Sequence, residues 1–469
     1  MSFRSGSIGL LRAASSRICT VQCGHTQVFG PTARLYTTRS SLSVPSSRAS
    51  AGRSGSMTAI SLERRHYASK RDNYPPKVSL KNNVVDVEHR GRSLKLSAAY
   101  LLDHCRCSKC SHAKTKQRLK TLSEVDPNVF ISELTPSSDG ITVQWHGQDG
   151  HTALFPWRFW ARLVEAQSPQ ISSKILWDNK IASKPPSIDY ERLMPSSAGE
   201  EEAEKAVLEW ISKVDQYGFC FVNGVPATPE ATEELINRIG TIRQTHYGGF
   251  WDFTADMSLG DLAYSSQQLP AHTDSTYFTD PSGLQIFHLL SHPPPGEGGH
   301  TLLVDGFKAA LQLEHDQPGM YQTLSTVPVP HHASGNQGLM YRTCRPVLTV
   351  THEEGDESLE MVRWNNEDRG VLVDRDGWDE ESTVEVWYEA AREFERILRS
   401  RENEYWVKLQ PGTVCVIDNW RVLHGRSSFT GSRRMCGAYV GRDDWRSRLW
   451  TLQRRFSNTQ KDDLWDFGW

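Results

Sequence analysis

No stretch of about 18 uninterrupted apolar residues occurs in the 469-residue chain, so an α-helical membrane span is not expected. A secretory leader with a continuous apolar centre is missing too, and the nine cysteines are therefore not read as a disulfide framework. No segment recurs at a fixed period. Acids are almost absent from residues 1–67, where Glu63 stands alone against nine Arg. Without that segment, the totals of 53 basic and 56 acidic residues become 44 and 55, and the formal charge moves from −3 to −11. So acidic a body argues against a nucleic-acid footprint of clustered Lys and Arg.

An Arg- and Ser-rich segment with almost no acid can form a basic amphipathic helix but cannot build a core. Residues 1–67 therefore read as a mitochondrial transit peptide addressing the matrix, with a peptidase-like site at Arg65, His66 and Tyr67 before Ala68 and Ser69. The remaining chain is long enough for one large domain and a small one. A small folded unit is predicted at 78–166, with short strands at 83–88, 141–145 and 152–156 around a cysteine cluster. Residues 167–194, rich in Ser, Lys and Pro, read as a linker before a domain at 195–469.

That second domain opens with a helix, where Ala206, Val207, Trp210, Ile211 and Val214 recur at helical spacing. Strand-like runs follow at 218–223, 284–290, 301–304, 347–350 and 414–417, with one further helix at 383–400. Many short strands between Gly- and Pro-rich turns predict a mainly β domain with some α, an antiparallel barrel or jelly roll.

The sharpest local feature is AHTDS at 271–275. Residues i and i+2 of a strand share a face, so His272 and Asp274 can reach one ion together. Alone, a His-x-acid pattern is weak: His352, Glu353 and Glu354 also fit it, in a polar run that reads as a solvated loop. His272 differs because a distal His-Gly pair, His424 and Gly425, follows in strand-like sequence. Two His and one carboxylate make the facial triad of non-haem Fe(II) oxygenases, which leaves positions open for a cosubstrate and O₂. Nine residues beyond His424 stands Arg433, whose fork suits the free carboxylate of a 2-oxoglutarate cosubstrate. Arg434 should face the other way, and alternation alone does not say which of the two points inward.

HCRCSKC at 104–110 places Cys105, Cys107 and Cys110 within six residues. Outside a secretory context this spacing suggests a structural zinc knot that still needs a fourth ligand. His104 and His112 are near in sequence but awkwardly placed.

Several long blocks resemble the trimethyllysine dioxygenase family, with γ-butyrobetaine dioxygenases as its sister group. These are AHTDSTYF at 271–278, TLLVDGF at 301–307, VRWNN at 362–366, EYWVKLQPG at 404–412, NWRVLHGR at 419–426, FTG at 429–431 and Cys436-Gly437. The likeness covers essentially everything after the transit segment. It implies a double-stranded β-helix (jelly-roll) core and a small β-rich zinc-binding N-terminal domain, with iron on His272, Asp274 and His424. It favours Arg433, helped by Thr301, as the oxoglutarate-binding pair, and His151 as the fourth zinc ligand. Its implied reaction is 3-hydroxylation of N6,N6,N6-trimethyllysine, the first step of carnitine synthesis, with ascorbate as reductant and a homodimeric enzyme.

A quaternary ammonium has no hydrogen-bond donor and is best held by aromatic faces. By resemblance these are Tyr247, Trp251, Tyr264 and Tyr439, with Asp261 able to meet a cation and Asn365 and Asn366 candidates for the amino-acid end. Two other readings remain open at this point: γ-butyrobetaine as substrate, and a non-catalytic scaffold of the same fold.

Overall fold

The computed structural model describes residues 75–147, 150–165, 174–195, 199–254, 265–294, 296–334, 338–353, 356–373 and 383–456. The expected transit segment, residues 1–67, lies outside the described residues, as do Asp261 and Tyr264.

The N-terminal unit begins with a three-stranded meander, β1 (Lys77–Lys81), β2 (Val84–His89) and β3 (Arg92–Ser97). Both turns are two residues long with positive φ throughout, Asn82 and Asn83 at 48° and 62°, Arg90 and Gly91 at 50° and 77°. Those values suit the hairpin turn whose twist matches paired strands. Helix α1 (Ala98–Asp103) follows, then a second meander of β4 (Ile131–Pro136), β5 (Gly140–Trp145) and β6 (Thr152–Pro156), and helix α2 (Trp157–Glu165). Alternation along β2 and β5 sends Val85, Val87, Ile141, Val143 and Trp145 into a core shared with Phe155 and Trp160.

The larger part carries two facing sheets. Its chain runs β7 (Ser187–Asp189), α3 (Tyr190–Leu193), α4 (Glu200–Tyr217), β8 (Phe219–Asn223), α5 (Pro229–Asn237), β9 (Trp251–Thr254) and β10 (Leu269–His272). Then come β11 (Leu284–Ser291), β12 (Thr301–Asp305), α6 (Gly306–Asp316), α7 (Pro318–Thr326), β13 (Val329–Ala333), β14 (Tyr341–Arg345), β15 (Leu348–Glu353) and β16 (Asp356–Val362). It ends with α8 (Thr383–Leu398), β17 (Tyr405–Val407), β18 (Thr413–Asp418), β19 (Val422–Arg426), β20 (Arg434–Val440) and α9 (Arg442–Phe456).

One sheet has the order β7-β8-β18-β11-β20-β9, the other β10-β19-β12-β17. Period-two alternation makes each sheet two-faced. On β11, β18 and β20, Leu284, Ile286, Val414, Val416, Ala438 and Val440 face outward, where Trp210, Ile211 and Val214 of α4 and Trp445 of α9 cover them. The outer face of the smaller sheet, with Leu302, Val304 and Leu423, is covered by α6, α7 and α8. Between the sheets, Phe219, Leu289, Cys415 and Ile417 meet Leu303, Tyr405 and Val422.

Asp305 and Arg421, almost fully buried, pair through two bonds of 3.0 and 2.8 Å. Asp305 also caps α6 through the amides of Phe307 and Lys308, so one carboxylate anchors a helix and a buried cation together.

The α4 face matches the predicted helical spacing, and Gly218 ends that helix in a left-handed conformation at φ 77°. Two expectations differ. Residues 187–189, placed in the linker, form a strand parallel to β8, because Ser187, Ile188 and Asp189 pair with Phe221, Val222 and Asn223. The segment around His352, expected as a solvated loop, is a hairpin of β15 and β16.

Candidate functional site

The cavity between the sheets is lined from both of them. Strand β10 pairs with β19 so that His272 lies directly opposite His424, and the two rings come within 4.4 Å between centroids. Gly425 permits this approach: a Cβ there would lie 2.6 Å from the Leu269 carbonyl oxygen. Asp274 follows in the loop after β10, its backbone held by Asn419. The Asn419 amide accepts from the Asp274 N–H at 2.8 Å and donates to the Asp274 carbonyl at 3.0 Å. Asp274 Oδ1 then lies 3.3 Å from His272 Nε2 and 3.7 Å from His424 Nε2.

His272 Nδ1 lies 2.8 Å from the Pro270 carbonyl, a partner that needs a proton on that nitrogen and leaves Nε2 free in the neutral ring. Burial lowers the His272 pKa, yet the hydrogen bond and charge of Asp274 outweigh it and hold it at about 9. Burial also opposes ionisation of Asp274, but the two imidazoles and Tyr439 keep it well below the usual carboxylate range. His424 is pushed down to about 3 by burial and by its neighbour His272. A half-buried carboxylate beside two imidazole nitrogens is a donor set that suits a divalent first-row cation such as Fe(II).

Arg433 points into the same cavity and is only 6% exposed. Among the described residues its guanidinium has no hydrogen-bond partner for Nε, and burial lowers its pKa to about 10. Among the described residues no carboxylate pairs with this buried cation, and a ligand anion would fill that role. The alternation left open by the sequence is now settled in geometry: Arg434 faces outward and forms a two-pronged pair with Asp252. Thr301 on β12 also lines the cavity, opposite Arg426 of β19.

Tyr247, Trp251 and Tyr439 line the cavity with Phe253, Tyr277 and Phe287. Gly437 makes room for Trp251, since a Cβ there would stand 2.4 Å from its ring and 1.9 Å from the Ile286 carbonyl. Asp261 and Tyr264 fall outside the described residues. Asn365 reaches the cavity, while Asn366 is not among its lining residues.

Sequence reasoning missed the aromatic Phe253, Tyr277 and Phe287 and, among polar lining groups, Arg426, Gln285, Glu367 and Asp368. Arg426 had a signal, two residues after His424 and so on the same strand face. Gln285 had another, as a lone amide in an apolar strand.

A second cluster forms in the N-terminal unit. His151 Nε2 lies 3.3, 3.6 and 3.7 Å from the sulfurs of Cys105, Cys107 and Cys110. Zinc–ligand bonds in a tetrahedral site put sulfur and nitrogen about 3.6 Å apart. The four donors therefore fit a closed structural zinc site. The two nearer histidines are engaged elsewhere: His104 Nδ1 contacts the Tyr100 carbonyl, and His112 Nδ1 accepts from the Thr115 amide.

Comparison with known proteins agrees with both halves. The family model described as taurine catabolism dioxygenase TauD, TfdA family matches residues 187–439. One described as gamma-butyrobetaine hydroxylase-like, N-terminal, matches residues 77–160. A trimethyllysine dioxygenase of Neurospora crassa is 39% identical over 397 residues, covering 76% of this chain and 80% of the relative. The human protein named trimethyllysine dioxygenase, mitochondrial, is 38% identical over 366 residues, covering 76% and 83%. A gamma-butyrobetaine dioxygenase of Pongo abelii is 28% identical over 377 residues, covering 77% and 92%.

Proposed function

This chain belongs to the trimethyllysine dioxygenase family and is an Fe(II)- and 2-oxoglutarate-dependent dioxygenase, and from that premise we propose that it hydroxylates free N6,N6,N6-trimethyllysine at C3. The observation that supports it most is the joining, in one cavity, of His272, Asp274 and His424 with a wall of aromatic rings and a buried Arg433 whose Nε has no hydrogen-bond partner among the described residues.

In this reading His272, Asp274 and His424 hold the ferrous ion. Bound there with oxoglutarate and O₂, iron supplies oxidative decarboxylation to succinate and CO₂ coupled to insertion of one oxygen atom into a substrate C–H bond. Arg433 takes the far carboxylate of oxoglutarate in its fork, with Thr301 beside it and the buried charge of Arg426 adding to the field. Tyr247, Trp251 and Tyr439 offer ring faces to the trimethylammonium group, roughly 0.5–2 kcal/mol each. By resemblance Tyr264 is a further ring for that group and Asp261 a further partner for the substrate cation; both fall outside the described residues. Asn365, inside the cavity, is placed to meet the amino-acid end of the substrate.

The proposal extends to the rest of the chain. The two facing sheets are the halves of a jelly roll, and Cys105, Cys107, Cys110 and His151 hold a structural zinc in a domain at 78–166. Residues 1–67 direct the protein to the mitochondrial matrix and are removed there; several relatives are named mitochondrial. Residues 167–186 connect to an oxygenase domain that opens with β7 at residue 187, earlier than the expected 195. Ascorbate keeps the iron reduced, the enzyme is a homodimer, and its product enters carnitine synthesis. Against a scaffold without catalysis stands the assembly of all three iron ligands.

Oxoglutarate decarboxylation stimulated by trimethyllysine is the test. It is expected in the wild-type protein and abolished by His424→Ala; full activity in that variant would refute the iron assignment.

A further inference from the structure

The two oxygens of the Asp274 carboxylate have different surroundings. Oδ1 faces both imidazoles. Oδ2 accepts a 2.7 Å hydrogen bond from the Tyr439 hydroxyl and a short one from Gln285 Nε2. Gln285 on β11 and Tyr439 on β20 are direct cross-strand partners, and their side chains touch, Nε2 to hydroxyl at 3.4 Å. Both are buried, at 4% and 7% exposure. They belong to the six-stranded sheet, whereas His272 and His424 belong to the four-stranded one.

Asp274 therefore ties the two sheets together at the metal position. Its backbone is held just as firmly by Asn419, and the next residue, Ser275, is kept at φ 61°, a left-handed conformation unusual for a residue with a side chain. The loop has little freedom to turn the carboxylate over. The bond to Oδ2 also fixes the Gln285 amide, because the flipped amide would set its carbonyl against a carboxylate oxygen.

We propose that Tyr439 and Gln285 are positioning residues that hold Asp274 to one-oxygen ligation through Oδ1. An oxygen that already accepts two hydrogen bonds has both lone pairs engaged and must give up at least one of those bonds to join Oδ1 in chelating an ion. Keeping it away preserves the open positions that cosubstrate and O₂ need. Tyr439 then has two duties: its ring lines the cation cavity while its hydroxyl sets the geometry of an iron ligand. The inference rests on the iron assignment above.

Tyr439→Phe isolates the second duty, since the ring stays and only the hydroxyl goes. The full protein is titrated anaerobically with Fe(II), with bound iron and zinc counted by mass spectrometry and the visible charge-transfer band recorded after oxoglutarate is added. Loss of a partner that orients a metal ligand typically weakens metal binding about 10–100-fold. Tyr439→Phe is expected to weaken Fe(II) by that factor and to shift the band, at nearly unchanged melting temperature. Tyr388→Phe removes a hydroxyl outside the cavity, one that accepts from Arg369 at 3.1 Å, and is expected to leave iron affinity unchanged. Gln285→Met removes the other donor at similar volume and carries the same expectation, which keeps the test open if Tyr439→Phe folds poorly. Iron affinity within twofold of wild type and an unshifted band in both variants would overturn the positioning role. A wild-type protein that binds no iron at all would overturn the metal assignment itself.

Discussion

Replacing Arg433 with Met should weaken oxoglutarate binding and, at the same time, make the ligand-free protein more stable. The guanidinium is 6% exposed, and its Nε has no partner among the described residues. Burial holds its pKa at about 10 against an ordinary 12.5, so the folded state disfavours a proton that the unfolded chain keeps. That penalty is fully present below pH 10 and fades as the pH rises toward 12.5. At neutral pH a shift of this size corresponds to about 3 kcal/mol. Removing the charge at similar volume relieves it, and the melting temperature of the ligand-free protein should rise by several degrees.

The ligand side has the opposite sign. Charge-assisted hydrogen bonds contribute roughly 1.5–3 kcal/mol each, and a fork makes two. Arg426 remains nearby to soften the loss, which leaves about 3 kcal/mol, or on the order of 100-fold in Kd. Calorimetric titration of the anaerobic enzyme with oxoglutarate, beside a thermal melt of each protein, reads both numbers. A Kd within fivefold of wild type, or a lower melting temperature without ligand, would show that Arg433 serves the fold and not the cosubstrate.

Trp251→Ala should weaken trimethyllysine binding by about 0.5–2 kcal/mol while leaving oxoglutarate affinity nearly unchanged, as read from the two KM values. Asp305→Ala leaves Arg421 buried without its carboxylate and uncaps α6, so a loss of about 3–5 kcal/mol is expected in a urea melt. Arg421→Met and Asp305→Leu together should restore much of it. Cys107→Ser, or extraction by a strong chelator, should remove one zinc per chain by elemental analysis and lower the melting temperature.

Legibility in the sequence followed locality. The iron pattern at 272–274 and the cysteine spacing at 105–110 are short, so their chemistry survives without a fold. The buried face of α4 showed through its 3.6-residue period, and the strands expected at 218–223, 284–290 and 414–417 through their apolar runs. What stayed hidden depends on elements far apart in the chain. Gln285 and Tyr439 meet Asp274 only because β11 and β20 face β10 across the sandwich. The choice between Arg433 and Arg434 needed Asp252, which lies about 180 residues upstream and draws Arg434 outward. The strand at 187–189 reads as linker because three residues in a Pro- and Ser-rich setting carry no period, and its pairing with β8 decides its state.

Product identification tests the central claim most directly: purified protein with Fe(II), oxoglutarate and ascorbate is offered trimethyllysine and γ-butyrobetaine separately, and succinate and hydroxylated products are measured by mass. Succinate formed in step with a trimethyllysine one oxygen atom heavier, with γ-butyrobetaine turned over poorly, is the expected result. A preference for γ-butyrobetaine would keep the iron and oxoglutarate chemistry but contradict the substrate, and no turnover of either by folded, iron-loaded protein would contradict the assignment of trimethyllysine to this cavity.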